Sequence, residues 1–139
     1  MSRRRELQFK RLCEEAGEIE RARESGNLDE VEALLNLLRA RCLLEEMAGE
    51  SDPHRIEALA DYAPDPTEAV GHYRRAIVLS ERRSEPTYTK RIWIAARLIE
   101  LGDKATARSE LMYGRAEAER LGGHDAVAYA DELLGKLAI

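Results

Sequence analysis

Aromatic residues are scarce in this sequence of 139 residues: one tryptophan, one phenylalanine and five tyrosines, beside only four prolines and two cysteines. Strand-forming residues are thin on the ground, which weighs against sandwiches and barrels and towards helical bundles or repeats. No apolar run approaches the roughly 20 residues that cross a bilayer, so no membrane contact is expected. Residues 1–11 carry charges without the apolar run of a secretory signal, and a cytoplasmic location is expected. The cysteines are too few for a disulfide framework. Cys13 and Cys42 both fall on the apolar stripes of predicted helices, where buried free thiols are expected. A fold-back about Gly26 and Asn27 would bring them to similar heights, which leaves a disulfide between them open.

Local signatures of chemistry are also missing. None of the nine glycines belongs to a glycine-rich loop followed by lysine and serine or threonine, so no phosphate cradle is predicted. His54, His72 and His124 lie far apart, without the paired spacing of a metal site on a helix. Glu68 and His72, one turn apart, read as ordinary helix-surface pairing. The serines look like caps or exposed positions, and neither cysteine stands beside a histidine. No catalytic residue, metal or cofactor is therefore expected, and the chain is read as non-enzymatic.

Charge is abundant, at 35% of residues, and unevenly placed. Residues 1–11 carry net +4, residues 12–68 net -11, residues 69–97 net +5 and residues 98–139 net -3, for a total of -5. The total argues against general affinity for nucleic acid. Segregation of this kind steers charged partners. The acidic stretch itself suits either a solvated face or a cap on a basic protein, such as a toxin directed at nucleic acid.

Periodicity supplies the architecture. Phe9, Leu12, Cys13, Ala16 and Ile19 recur at three- and four-residue steps and predict a helix over residues 3–24. After the Gly26 and Asn27 turn, Leu28, Val31, Leu34, Leu35, Leu38, Cys42 and Met47 trace a second stripe, and Leu37, Leu43 and Leu44 widen it. A helix apolar over so much of its girth is expected at the centre of the fold. Asp52 before Pro53 starts a third helix, which Pro64 ends. Asp65, Pro66, Thr67 and Glu68 form a start signal for a fourth, with Ala69, Tyr73, Ala76, Ile77 and Ser80 on its core face. A fifth helix spans about 86–101 and is stopped by Gly102; a sixth follows Asp103 and ends at Gly122 and Gly123. Gly114 inside the sixth predicts a close helix crossing. A last amphipathic helix aligns Val127, Ala130, Leu133, Leu134 and Leu137 as a lid over the preceding pair.

Ala95, Leu98, Gly102, Asp103, Ala107, Leu111 and Gly114 stand at intervals that resemble the tetratricopeptide repeat. Glu68, Ala69, Tyr73 and Ala76 match Thr106, Ala107, Leu111 and Gly114 at an offset of 38 residues, and Gly26, Asn27, Val31 and Leu35 suggest a further copy. The resemblance and the periodicity together give an all-α fold. Antiparallel helix hairpins would stack as a short tetratricopeptide-like solenoid of about seven helices. The whole chain, 1–139, then reads as a single helical-repeat domain with hairpins at about 3–48, 53–83 and 86–121 and a capping helix over 124–138. In such a solenoid neighbouring hairpins bury each other and leave a surface free to bind.

That surface is expected to bind protein. Arg74, Arg75, Arg82, Arg83, Lys90, Arg91 and Arg97 lie on or beside the fourth and fifth helices, with Trp93 among them, as arginine and tryptophan do at binding hot spots. The alternative places the arginines on solvated faces paired with nearby acids and Trp93 in the core. Ile92, Trp93, Ala96 and Ile99 stand where the resemblance implies groove contacts. With Asn27 and Asn36 the only asparagines, the carboxylate-tail clamp known in that family is not expected, and an apolar peptide or amphipathic helix suits the groove better. The expected role is a dedicated protein partner, either an inhibitor or immunity protein that neutralises a toxin or a secretion-type chaperone. A regulatory adaptor that senses a peptide or ligand is the alternative, and nucleic-acid binding through the arginines ranks below both.

Overall fold

The structure is a computed structural model and describes residues 2–138. Within them the chain forms seven α-helices and no strand: α1 (Arg3–Glu24), α2 (Leu28–Met47), α3 (Pro53–Tyr62), α4 (Pro66–Arg82), α5 (Tyr88–Glu100), α6 (Lys104–Leu121) and α7 (His124–Leu137). Short polar residues start five of them. Ser2, Asn27, Asp52, Asp65 and Asp103 each accept a hydrogen bond from an amide of the first turn, which satisfies donors the helix cannot. Gly122 ends α6 at φ 79°, a left-handed conformation that glycine adopts without steric cost. Ser84 takes the same region at φ 55° after α4, where the Glu85 amide reaches back to the Ser80 carbonyl at 2.9 Å.

Consecutive helices pair and the pairs stack: α1 lies on α2, α3 on α4, α5 on α6, and α7 covers both α5 and α6. The expected all-α hairpin architecture and the lid are thus present. The centre, however, is not α2. Helix α5 packs against α4, α6 and α7, and its Ile92, Ile94, Ala95 and Leu98 are buried. Helix α2 packs mainly against α1 and α3 and reaches α4 through the Arg39–Glu68 ion pair at 3.9 Å, so its outer residues Leu37, Leu43, Leu44 and Met47 remain exposed, Met47 at 75%. Its wide apolar girth misled because a second layer of protein, which would bury the outer side, is not supplied by this chain. Phe9 and Cys13, expected in the core, are likewise exposed; Phe9 meets the His54 ring edge-on at 5.5 Å. Cys42 is buried, and both thiols are free.

The main core runs through α3 to α7, and a second cluster joins α1, α2 and α3 through Leu12, Ile19, Leu35, Leu38 and Leu59. A charge network ties α1, α2 and α3 together. Arg55 in α3 is only 2% exposed; its Nε meets Glu45 of α2 at 2.6 Å, and it also donates to Glu15 of α1, which accepts from Arg41 as well. Burial favours the neutral form of both partners, and it raises the Glu45 carboxyl despite the nearby guanidinium, whereas the two carboxylates raise Arg55. The contact distance decides for the ionised pair, since two carboxylates share the buried guanidinium. Replacing Arg55 with methionine strands Glu45 and leaves Glu15 with Arg41 alone, and is expected to lower stability by roughly 3 kcal/mol in chemical denaturation. Adding Glu15→Gln and Glu45→Gln to the same chain should recover most of the loss.

Gly114 marks the α5–α6 crossing that the sequence predicts. A Cβ there would lie 2.9 Å from Ile92 Cγ1, 3.2 Å from the Tyr88 carbonyl oxygen and 3.3 Å from Arg91 Cβ. Alanine favours a helix over glycine by up to about 1 kcal/mol, but crowding a packed core costs about 1–3 kcal/mol. Gly114→Ala should therefore lower the denaturation midpoint, whereas the same change at Gly71, which has open space around it, should raise or preserve it.

Candidate partner-binding site

The basic residues grouped by the sequence separate into three kinds once folded. The first kind is internal bracing. Lys90 is 2% exposed and its Nζ meets Glu57 of α3 at 3.2 Å. Arg91 bonds Glu81 of α4 at 2.6 Å and Glu110 of α6 at 3.0 Å, and its guanidinium lies over the Tyr113 ring. Arg83 donates to the Ser51 carbonyl at 2.7 Å. Ile92 belongs to the core beneath them. Lys90 and Ile92 are accordingly corrected from surface contacts to buried structure, because Lys90 reaches Glu57 of α3 and Ile92 lies against α6 at Gly114. Ile99 is half-buried against the same core.

Trp93, Ala96 and Arg97 belong to the second kind: they line a groove of about 390 Å³ crossed by α1, α3, α5 and α7. Trp93 is 36% exposed and packs on Tyr129 of α7, ring centroids 4.7 Å apart and tilted by 52°. Tyr62 forms another wall, with the Arg23 guanidinium 4.9 Å above its ring. Arg97 is already engaged, donating to the Ala63 carbonyl at 2.8 Å and to Glu100 at 3.2 Å. The carboxylates of Glu20, Asp61 and Glu100 outnumber the guanidiniums of Arg23 and Arg97, so the groove carries a net negative charge. Tryptophan and tyrosine rings with one face free offer contact area at little entropic cost, and acids beside them favour a cationic or amide-bearing segment.

The third kind is Arg74, Arg75 and Arg82, which lie away from this groove along a cleft between α2 and α4. Trp93 therefore shares its groove with Arg97 but not with Arg74, Arg75 and Arg82, which the sequence grouped with it. Sequence reasoning missed Tyr62 and Tyr129. Their signal was an aromatic ring off the apolar stripe of its helix, and pairing Trp93 with Tyr129 required knowing that α7 folds back on α5.

Nucleophilic chemistry finds little support in the protonation of these groups. Burial pushes the Cys42 thiol up to about 11, so it stays protonated at neutral pH. Burial, Asp61 and its hydrogen bond also push the Tyr73 hydroxyl up. Among the described residues no three His, Cys, Asp or Glu side chains gather as a metal site. Glu68 and His72 form the expected pair at 3.3 Å.

Asp61 accepts a hydrogen bond from the buried Tyr73 hydroxyl. The residue keeps an outer edge in solvent, yet enclosure of its carboxyl lifts it from 3.8 to about 6, the bond from Tyr73 opposing the lift. A carboxyl that holds its proton more tightly when folded stabilises the fold towards low pH and less as pH rises through the window from 3.8 to about 6. Asp61→Asn keeps an acceptor for Tyr73 and should flatten the dependence of melting temperature on pH in that window, measured against the parent chain from pH 4 to 7. No protein family, curated protein or solved structure matches the chain, and the site is accordingly read on its geometry.

Proposed function

We propose that the chain is a non-catalytic protein-binding module that acts as a dedicated, stoichiometric partner, with the groove across α1, α3, α5 and α7 as its working face. The observation that carries this reading is the exposed Trp93 packed on the half-buried Tyr129, set in an open groove whose other walls come from separate helices. Rigid helices hold these rings in place before a ligand arrives, which reduces the ordering cost of binding. The groove's surplus of carboxylates, within a stretch of net -11 over residues 12–68, favours a basic partner segment carrying an aromatic or aliphatic side chain. A small acidic inhibitor of a basic toxin fits this chemistry; a secretion-type chaperone that shields such a segment fits it equally. The tetratricopeptide resemblance supports the same face, since the first helix of each hairpin would line it.

Trp93 is the only tryptophan, so its fluorescence reports the groove directly. Tagged chain recovered from its native cell after crosslinking should bring one protein in equal amount, and that protein should shift Trp93 emission on titration. Replacing Trp93 and Tyr129 together with alanine should weaken the complex by roughly 30-fold or more, as loss of an aromatic hot spot does. A chain that captures nothing stoichiometric, or whose partner is indifferent to the double variant, would defeat this reading.

A further inference from the structure

A second surface lies where α2 and α4 are both supported by α3 and are joined by the Arg39–Glu68 ion pair at 3.9 Å, but leave a space between them further along. The space between them is a cleft of about 370 Å³, within the range that holds several side chains of a ligand. Its floor is apolar: Cys42 from α2, Ile56 from α3, and Val78 and Leu79 from α4. Val78 remains exposed, and so do Leu43 and Met47 on the α2 flank. The α4 rim is basic, made of Arg74, Arg75 and Arg82, and the α2 rim contributes Glu46.

The charges of that rim are unspent. Arg83 at the end of α4, and Arg91 and Arg97 on α5, all donate to carboxylates or carbonyls within the fold. Among the described residues, Arg74, Arg75 and Arg82 have no carboxylate within ion-pair distance. Spacing then aligns them. Arg74, Val78 and Arg82 follow one another at four-residue steps and Arg75 precedes Leu79 by four, so cations bracket an apolar centre along one face of α4. Two turns separate Arg74 from Arg82, about 12 Å along the axis.

We infer that this cleft docks an acidic amphipathic helix of a partner protein, its apolar stripe on Cys42, Ile56, Val78 and Leu79 and its carboxylates on Arg74, Arg75 and Arg82. A helix meets both requirements at once, because apolar residues at three- and four-residue steps follow the floor while acids roughly two turns apart reach both ends of the rim. Glu46 fixes the orientation, since it repels an acid on the α2 side and admits one only along α4. Nucleic acid fits the cleft poorly: it would leave the apolar floor uncovered and place phosphates beside Glu46. The inference is independent of the groove reading, because the cleft shares no lining residue with the groove.

The test uses the full chain and three fluorescein-labelled 18-residue peptides, followed by anisotropy. One is a leucine-striped helix with glutamates flanking the stripe, the second carries lysines in their place, and the third is a scramble of the first that destroys the stripe. The glutamate helix should bind at least tenfold tighter than the other two. Arg74→Glu with Arg82→Glu should reverse the preference between glutamate and lysine helices. Val78→Glu should weaken the glutamate helix about tenfold or more. Trp93→Ala and the remote Arg108→Glu should leave its affinity unchanged, and melting curves identify any variant that fails to fold. Equal binding of helix and scramble overturns the proposal, as does loss with Trp93→Ala, or a single-stranded RNA of 20 nucleotides that binds more tightly and displaces the peptide. Failure here with an intact Trp93-dependent complex would remove the cleft and leave the groove standing.

Discussion

The burial of α5 is the constraint on which the rest of this structure depends. Thirteen residues long, it buries Lys90, Ile92, Ile94, Ala95 and Leu98 over about half its circumference, so a single neighbour cannot cover it. Helices α4, α6 and α7 do so together, and Gly114 lets α6 approach until its backbone nearly touches Ile92. Apolar burial of this extent is the dominant favourable term in folding a chain of this size. The cations on α5 are drawn in with it. Lys90 and Arg91 then have to find carboxylates, and Glu57, Glu81 and Glu110 meet them from three other helices. What looks in one dimension like a single basic patch is in part the charge bracing of a buried helix.

The first hairpin is held differently. Its apolar contact with the remainder passes through α3 alone, and the buried guanidinium of Arg55 supplies directionality by joining Glu15 and Glu45. A buried ion pair adds little net stability over an apolar substitute, but it penalises any arrangement that leaves the charge unpaired. Because that bond positions α2 over α3 rather than over α4, the cleft beside α4 stays open and its arginines stay free. The same attachment leaves Leu37, Leu44 and Met47 of α2 in solvent. The groove is walled by α1, α3, α5 and α7 with Tyr73 of α4, and the cleft lies where α2 and α4 part beyond the Arg39–Glu68 ion pair.

Helix boundaries were legible in the sequence to within a residue or two, because the signals that set them are local. Asp52 with Pro53 and Asp65 with Pro66 begin α3 and α4 where their capping chemistry says they should, and Gly102 and Gly122 follow the ends of α5 and α6. Gly114 was legible too, since a glycine inside a helix has little reason to be there other than close approach. Failure came where apolar width was taken as a measure of centrality. Helix α2 has the wider apolar surface, yet α5 is the one enclosed, because enclosure depends on which helices return to cover an element rather than on its own composition. Phe9 and Cys13 show the same limit on α1, which has only α2 and α3 for company.

The sequence by itself determined the helices, their ends and the crossing at Gly114, for each follows from hydrogen bonds and side-chain spacings within a turn or two of the chain. Only the tertiary structure decided which charges are free. Whether Lys90 is spent on Glu57, 33 positions away, or Arg82 on nothing, depends on distances across helices that periodicity does not encode. It likewise placed Trp93 against Tyr129 and apart from Arg74 and Arg82, because a ring and a guanidinium close in sequence can occupy opposite sides of a helix stack.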